Sequence, residues 1–294
     1  MTSEFHHAGE HRMQYGFTIP CSDVHAVIDL AVEAENAGWD GVFIPDAIAI
    51  ASGPNAEALD YDPWVALAAV AMRTSRIRMG TMLTPISRRR PWKLARETVT
   101  LDQLSHGRLI LSVGLGALDD MGFGYVGEAT DRKVRAQLMD EGLEILMGLW
   151  SGKPFSFHGE HYHVDEMTFA PTPVQKPRIP IWVVGAWPSK KSMRRVLRYD
   201  GLLPNKVSTG DEFPEVTPDD IRAMVTFIDG ELTAMTPFDI VWEGRTPGDD
   251  PAQVAGIIQP YIDAGITWWL ESMWTEPNSV DDVRARIRQG PPKG

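Results

Sequence analysis

"TLDQLSHGRLILSVGLG", Thr100 to Gly116, holds a helix end, a strand and a glycine turn in one short run. The helix stops at Ser105-His106-Gly107, since glycine ends helices readily. Arg108 to Val113 then reads as a strand that is apolar nearly throughout. Gly114-Leu115-Gly116 closes it. Glycines at a strand end let backbone approach a ligand, and free N–H groups can donate to anionic oxygens. They also make tight turns with no ligand, and both readings stay open. The run is not the dinucleotide fingerprint, because Asp119 stands where a third glycine is needed.

The same β-then-α rhythm extends in both directions. Gln14 to Pro20 reads as a strand, and Asp23 to Gly38 as a helix with an Asp N-cap and a Gly stop. "WDGVFIP" is a second strand. Asp62 to Thr74 is a helix with Pro63 at its first position. Arg76 to Leu83 is a third strand, "PWKLARETVTLDQLS" a third helix and "RLILSVG" the fourth strand. Downstream, Arg132 to Trp150 is a long amphipathic helix, and Arg178 to Ala186 a strand. A short sixth strand lies near Gly201-Leu203, and "PFDIVWEG" and "ITWWLES" supply two more, each with a helix behind it. Eight such units in one chain predict an α/β fold, a single (β/α)8 TIM barrel over residues 13–294. A doubly wound open sheet is the alternative. Residues 117–131, after strand 4, and 151–177, before strand 5, break the rhythm and read as insertions. Loops of that length usually have a role.

Composition narrows the function. The chain has 294 residues, 43% hydrophobic and 23% charged, ordinary for a soluble domain. A net charge of -12 is opposite to what nonspecific nucleic-acid binding needs. The basic run Ser87 to Lys93 is either an anion site or a solvated loop. No apolar run is long enough to suggest a membrane span. Residues 1–12 are polar, carry no signal-peptide core and read as a flexible tail. The lone Cys21 fits a reducing compartment, so a cytoplasmic location is expected. The strand ends hold glycines and bulky apolar groups, with few nucleophiles or acid-base pairs. Such a rim suits a flat cofactor that brings its own chemistry.

Four stretches carry a family resemblance: "AVEAENAGWDGVFIPD", the run from "PWVALAAVAMRTSRIRMG" through "LSHGRLILSVGLG", "DEGLEILMGLWSGKPFSFHGEHYHV", and "PTPVQKPRIPIWVVG" with "RYDG". In this order they resemble the bacterial luciferase-like family of flavin- or deazaflavin-dependent oxidoreductases, over roughly residues 13–204. The resemblance implies FMN, or alternatively F420, at the strand C-termini. It implies cofactor contacts from Phe17, Thr81, Met82, Gly114, Leu115, Gly116, Gly185, Ala186, Trp187 and Ser189, and a cis peptide at Thr81-Met82. Lys190 and Lys191 would add charge beside the cofactor phosphate, or be solvated. It also implies a homodimer. Where many relatives have Asp-His after the second strand, this chain has Asp46-Ala47. Where the F420-dependent sugar and alcohol dehydrogenases have a glutamate after the fourth-strand glycines, it has Ala117.

Those departures leave the catalytic residues unknown, with Asp46, Trp242 and Glu271 as candidates. Asp46 and Glu271 could polarise a substrate, or cap a helix or pair with an arginine. Trp242 and Trp269 could line a substrate pocket or be core. His158, His161 and His163 invite a metal reading, but the family's hairpin here holds none, so no metal is expected. If the hairpin is a strand, His161 and His163 share a face and the turn at Gly159 moves His158 away. The leading expectation is a flavin-dependent oxidoreductase or monooxygenase acting on a small organic substrate through reduced FMN, with a separate flavin reductase as partner. The alternatives are an F420-dependent reductase or dehydrogenase and a non-catalytic flavin-binding paralogue; a metal hydrolase on the same barrel lacks the carboxylates and histidines it would need.

Overall fold

The computed structural model describes residues 12–20, 23–48, 61–117, 120–207, 214–232, 237–275 and 277–292. The expected flexible tail, all but its last residue, and Cys21 lie outside them.

The first half of the chain runs β1 (Gln14–Thr18), α1 (Val24–Ala37), β2 (Gly41–Ile44), α2 (Pro63–Arg73), β3 (Arg78–Thr81), a two-residue β4 (Thr84–Pro85), α3 (Pro91–Leu104) and β5 (Leu109–Gly114). A short helix α4 (Met121–Gly124), the long α5 (Arg132–Trp150) and a hairpin of β6 (Pro154–His158) and β7 (His163–Thr168) follow. The second half runs β8 (Ile181–Trp187), α6 (Lys190–Val196), β9 (Gly201–Lys206), α7 (Pro218–Glu231), β10 (Asp239–Gly244), α8 (Pro251–Ile262), β11 (Trp268–Ser272) and α9 (Val280–Arg288).

Eight strands close a parallel ring in the order β1, β2, β3, β5, β8, β9, β10, β11, and β11 returns to β1. That closure is the expected barrel and sets aside the open sheet. Both insertions fall where expected, and the second is an antiparallel hairpin. The sixth barrel strand, β9, is longer than the sequence indicates. The basic run Ser87 to Lys93 is part 3-10 turn, Ile86–Arg88, and part first turn of α3.

Local chemistry explains the element ends. Asp23 accepts the N–H groups of His25 and Ala26 at the start of α1. Gly38 ends that helix with φ +95°, a conformation that costs other residues dearly. A side-chain cap of this kind stabilises a helix by about 1 kcal/mol.

Successive residues of a barrel strand face alternately inward and outward. The outward set packs on the helices. Phe17, for example, meets the edge of Trp39 at 5.3 Å between ring centroids, and Trp39 Nε1 donates to the Ile287 carbonyl of α9 at 2.9 Å. The inward set fills the barrel with large rings: Trp182 lies 5.3 Å from Phe43 and 5.2 Å from Trp268, centroid to centroid. Such bulk fits because other inward positions have no side chain. A Cβ on Gly80 would lie 2.3 Å from the Ile110 carbonyl oxygen, and one on Gly16 would lie 2.5 Å from Leu270. At the bottom of the barrel the buried Asp239 accepts both indoles, Trp182 at 2.9 Å and Trp268 at 3.2 Å. The indoles of the aromatic plug are therefore satisfied in their polar atoms.

Candidate active site

A cavity of about 630 Å³ opens at the C-terminal mouth of the barrel. Its floor is apolar: Met82, Leu83, Val184, Leu203, Val241 and Leu270 border it, inward residues of four strands and of the turn after β3. The glycine turn now has its explanation. A Cβ on Gly114 would press Leu83 and Val184 at 3.0 Å, so glycine keeps the floor free of a projecting side chain. Gly116 has φ +81°, and a Cβ there would lie 2.8–2.9 Å from Phe123 and Pro85. One glycine makes room; the other makes the turn. The cis peptide beside this floor is Met82-Leu83, one bond later than expected at Thr81-Met82.

The wall nearest β2 and β5 is a buried ion network. Arg88 donates to Asp46 at 3.0 Å and also to Asp120, and Arg89 reaches Asp46 at 2.7 Å. The side chains of Arg88, Asp46 and Asp120 are nearly inaccessible. Arg135 of α5 stacks on Phe123 with its guanidinium carbon 3.4 Å from the ring centroid. It also donates to the carbonyls of Ala117 and Ala129. The first insertion is thus held down at both ends by arginines. At the rim stand Arg132, Arg195 and Lys206; Arg195 pairs with Asp140 and Lys206 with Asp220 at 3.0 Å.

Of the residues expected to hold the cofactor, Met82, Gly114, Leu115, Gly116 and Ala186 border this cavity. The others do not. Phe17 faces Trp39 in the helix layer. Thr81 is fully buried, its hydroxyl 2.6 Å from that of Thr84. A Cβ on Gly185 would point at Met193 and Val196 of α6. Trp187 packs on Phe227 of α7, and Ser189 caps α6. For the four that lie on strands, a neighbouring position faces inward instead.

The catalytic candidates divide as well. Asp46 borders the cavity, but both its oxygens are taken by arginines. Trp242 borders it while stacking on Tyr261 of α8 at 5.2 Å. Glu271 is turned outward and fully buried, where it accepts from Thr246 at 2.6 and 2.8 Å and pairs with Arg286 at 3.3 Å. It is a packing carboxylate. Trp269 is also core. Sequence reasoning did not single out Glu243, the residue between Trp242 and Gly244, which borders the cavity from β10. Burial pushes its carboxyl up, against the pull of the hydrogen bond from Trp274. The signal was available: Glu243 has the inward parity of Val241.

The histidines pair differently from the sequence reading. His158 lies opposite His163 across the hairpin, their Nδ1 atoms 2.7 Å apart. It is His161 that stands apart, its N–H bound by Glu141. Among the described residues no group of three His, Cys, Asp or Glu is placed to hold a metal. Among them, too, no helix is long and apolar enough to cross a membrane.

The family model for luciferase-like monooxygenases matches residues 1–232. This chain belongs to that family. Its relatives within the luciferase-like group include an F420-dependent glucose-6-phosphate dehydrogenase of Nocardia farcinica, 32% identical over 291 residues, 82% of this chain and 85% of that protein. The Nakamurella multipartita protein of the same name is 34% identical over 163 residues, 55% of this chain and 46% of that protein. With several such relatives the match thus spans about half of their length. Two solved structures share the luciferase-like barrel at a TM-score of 0.74. One is an F420-dependent secondary alcohol dehydrogenase in complex with an F420-acetone adduct, 18% identical, covering 95% of this chain and 97% of that one. The other is the monooxygenase RslO1 from Streptomyces bottropensis, 16% identical, covering 94% and 97%.

Proposed function

We propose that this chain is an F420-dependent oxidoreductase acting on a small organic molecule at the barrel mouth. The observation that carries the reading is the cavity itself. Its apolar floor matches a planar tricyclic ring, and the cationic rim of Arg132, Arg195 and Lys206 matches an anionic tail. Glycine at position 114 is what the fit requires, since any side chain there would stand in the cradle. When bound, the deazaflavin would supply or accept a hydride. The chain's own residues would orient the ring on Met82, Leu83 and Val184, neutralise the tail and exclude water from the reacting face.

FMN would fit the same floor. The choice between the two follows the F420-dependent relatives at 30–34% identity. The leading expectation of FMN rested on Ala47 and Ala117, two positions that bear on proton transfer to the substrate rather than on holding the ring. For the same reason a sugar phosphate is not carried over as substrate.

The test is a parallel titration of purified protein with F420, FMN and reduced FMN, followed by ligand fluorescence or absorbance. F420 is expected to saturate. Gly114→Val is expected to weaken it by about tenfold or more, about 1.4 kcal/mol, in protein that still melts cooperatively. Saturation by FMN alone would replace the reading with the flavin monooxygenase. Binding of neither would favour a non-catalytic paralogue.

A further inference from the structure

Among the described residues three carboxyl groups border the cavity: Asp46, Asp120 and Glu243. The first two are neutralised by Arg88 and Arg89. Glu243 differs. Among the described residues it forms no ion pair, and Trp274 Nε1 donates to its Oε1 at 3.0 Å. The Thr18 hydroxyl, fully buried, lies on its other side. Burial there disfavours the ionised form, and among the described residues no cation offsets that.

Its position in the ring is the second observation. Going round the barrel, β10 stands four strands from β3 in either direction. Glu243 therefore faces the Met82-Leu83 floor from across the mouth. Ala47, after β2, and Ala117, after β5, flank the β3 side and carry only methyl groups. Among the described residues bordering the cavity, the carboxyl without a cation partner lies on the β10 side.

We propose that Glu243 is the catalytic acid of this site and that its substrate is an uncharged carbonyl compound, such as a ketone or a conjugated enone. The proposal rests on the F420 reading above. The substrate class follows from the lining. Trp242, Trp274, Val241 and Leu270 offer apolar contact, and a neutral carboxyl offers one hydrogen bond to one oxygen. A phosphate or carboxylate at this depth would need a cation, and Arg88 and Arg89 already have carboxylate partners, while the rim cations are taken by the tail. Reduction of a ketone takes one hydride and one proton. The hydride leaves the dihydro-deazaflavin, which is oxidised by two electrons, and bonds to the carbonyl carbon. The C=O π pair moves to oxygen and takes the Glu243 proton, giving the alcohol. The resulting carboxylate is reprotonated by water through the open mouth. An enone takes the hydride at its β carbon and the proton on the enolate. Oxidation of the alcohol runs the same atoms backward.

Glu243→Gln keeps the shape and the bond to Trp274, and removes the transferable proton. Infrared titration of the cofactor-free protein is expected to show a protonated carboxyl band at neutral pH that Glu243→Gln lacks. Absence of that band in the wild type would overturn the proposal whatever the cofactor proves to be. F420 affinity is expected to be the same in both proteins; failure of both to bind F420 would sink the cofactor reading and leave the band as a separate result. With reduced F420 and cyclohex-2-enone or cyclohexanone in a single turnover, the wild type is expected to oxidise the cofactor. Its rate falls as the pH rises through the Glu243 value. Among the described residues, Lys206 on β9, Arg195 on α6, Arg132 and Arg135 on α5 and the Asp46 network across the mouth are the other charged groups facing the cavity, and all are present in both proteins. Glu243→Gln is expected to be slower by about 10²–10⁴-fold with a flat pH profile, and Glu243→Asp to recover part of the rate. Equal rates for Glu243→Gln and the wild type would overturn the assignment, and no turnover of either probe by the wild type would overturn the substrate class.

Discussion

Arg88 shows how much one side chain can organise. It joins Asp46 at the end of β2 to Asp120 in the first insertion, and all three are buried. Removing one partner of such a set leaves a charge in a dry interior with nothing to balance it. Arg88→Leu is therefore expected to cost about 3–5 kcal/mol, read as a lower urea midpoint with an unchanged slope. A loss under about 1 kcal/mol would mean that the network is hydrated and only decorates the wall. Residue parity is less legible in the sequence. Of the residues expected at the site, Phe17, Thr81, Gly185, Trp187 and the candidate Glu271 turn away from the cavity. Met82 and Ala186, expected with them, stand beside Thr81 and Gly185 with the opposite parity and border it. Strands buried on both faces are apolar on both, so alternation does not mark the inward side. A slip of one residue exchanges the faces. Gly114 and Gly116 were legible because glycine reports a spatial need whichever face it is on.

Elements were read well for the same physical reason that parity was not. Helix caps and stops are local chemistry, and the Asp N-caps of α1 and α2 and the stop at Gly38 are all as the sequence implies. What joins one element to another was not visible. Glu35, near the end of α1, accepts the backbone N–H groups of Ser75, Arg76 and Ile77 just before β3. Burial pushes its carboxyl up, but those three donors and the Arg76 charge outweigh it, and the carboxyl ends below its ordinary value. A lowered acid contributes stability at neutral pH that is lost as the pH falls through the lowered value. Glu35→Gln is expected to cost about 1 kcal/mol at neutral pH, the low side for charged hydrogen bonds because the group is partly exposed. Thermal melts of both proteins at neutral and acid pH should show the gap closing in acid; a constant gap would point to shape rather than charge. Glu141 serves the hairpin likewise, taking the N–H groups of Glu160, His161 and Tyr162.

At the scale of the molecule the eight-unit rhythm was enough to find the barrel, though the later units had rhythm without motif. The last helix fastens the ring. Arg286 of α9 balances the fully buried Glu271, and Ile287 supplies the acceptor for Trp39. A chain ending at Asn278 loses both and is expected to show no cooperative melt, whereas one ending at Gly290 keeps both and should melt as the full chain does. Cooperative unfolding of the shorter chain would show that the ring is self-sufficient without its fastening. The pairing of β1 with β11 has a further consequence during synthesis. The first strand leaves the ribosome with one edge unpaired, and its partner follows roughly 250 residues later, on the order of tens of seconds at about 5–20 residues per second. For that interval a nascent chain carries an open, apolar sheet edge of the kind that recruits neighbouring chains. The yield of this protein in a cell is therefore expected to fall when holdases that shield such edges are depleted, even where the finished ring is unchanged.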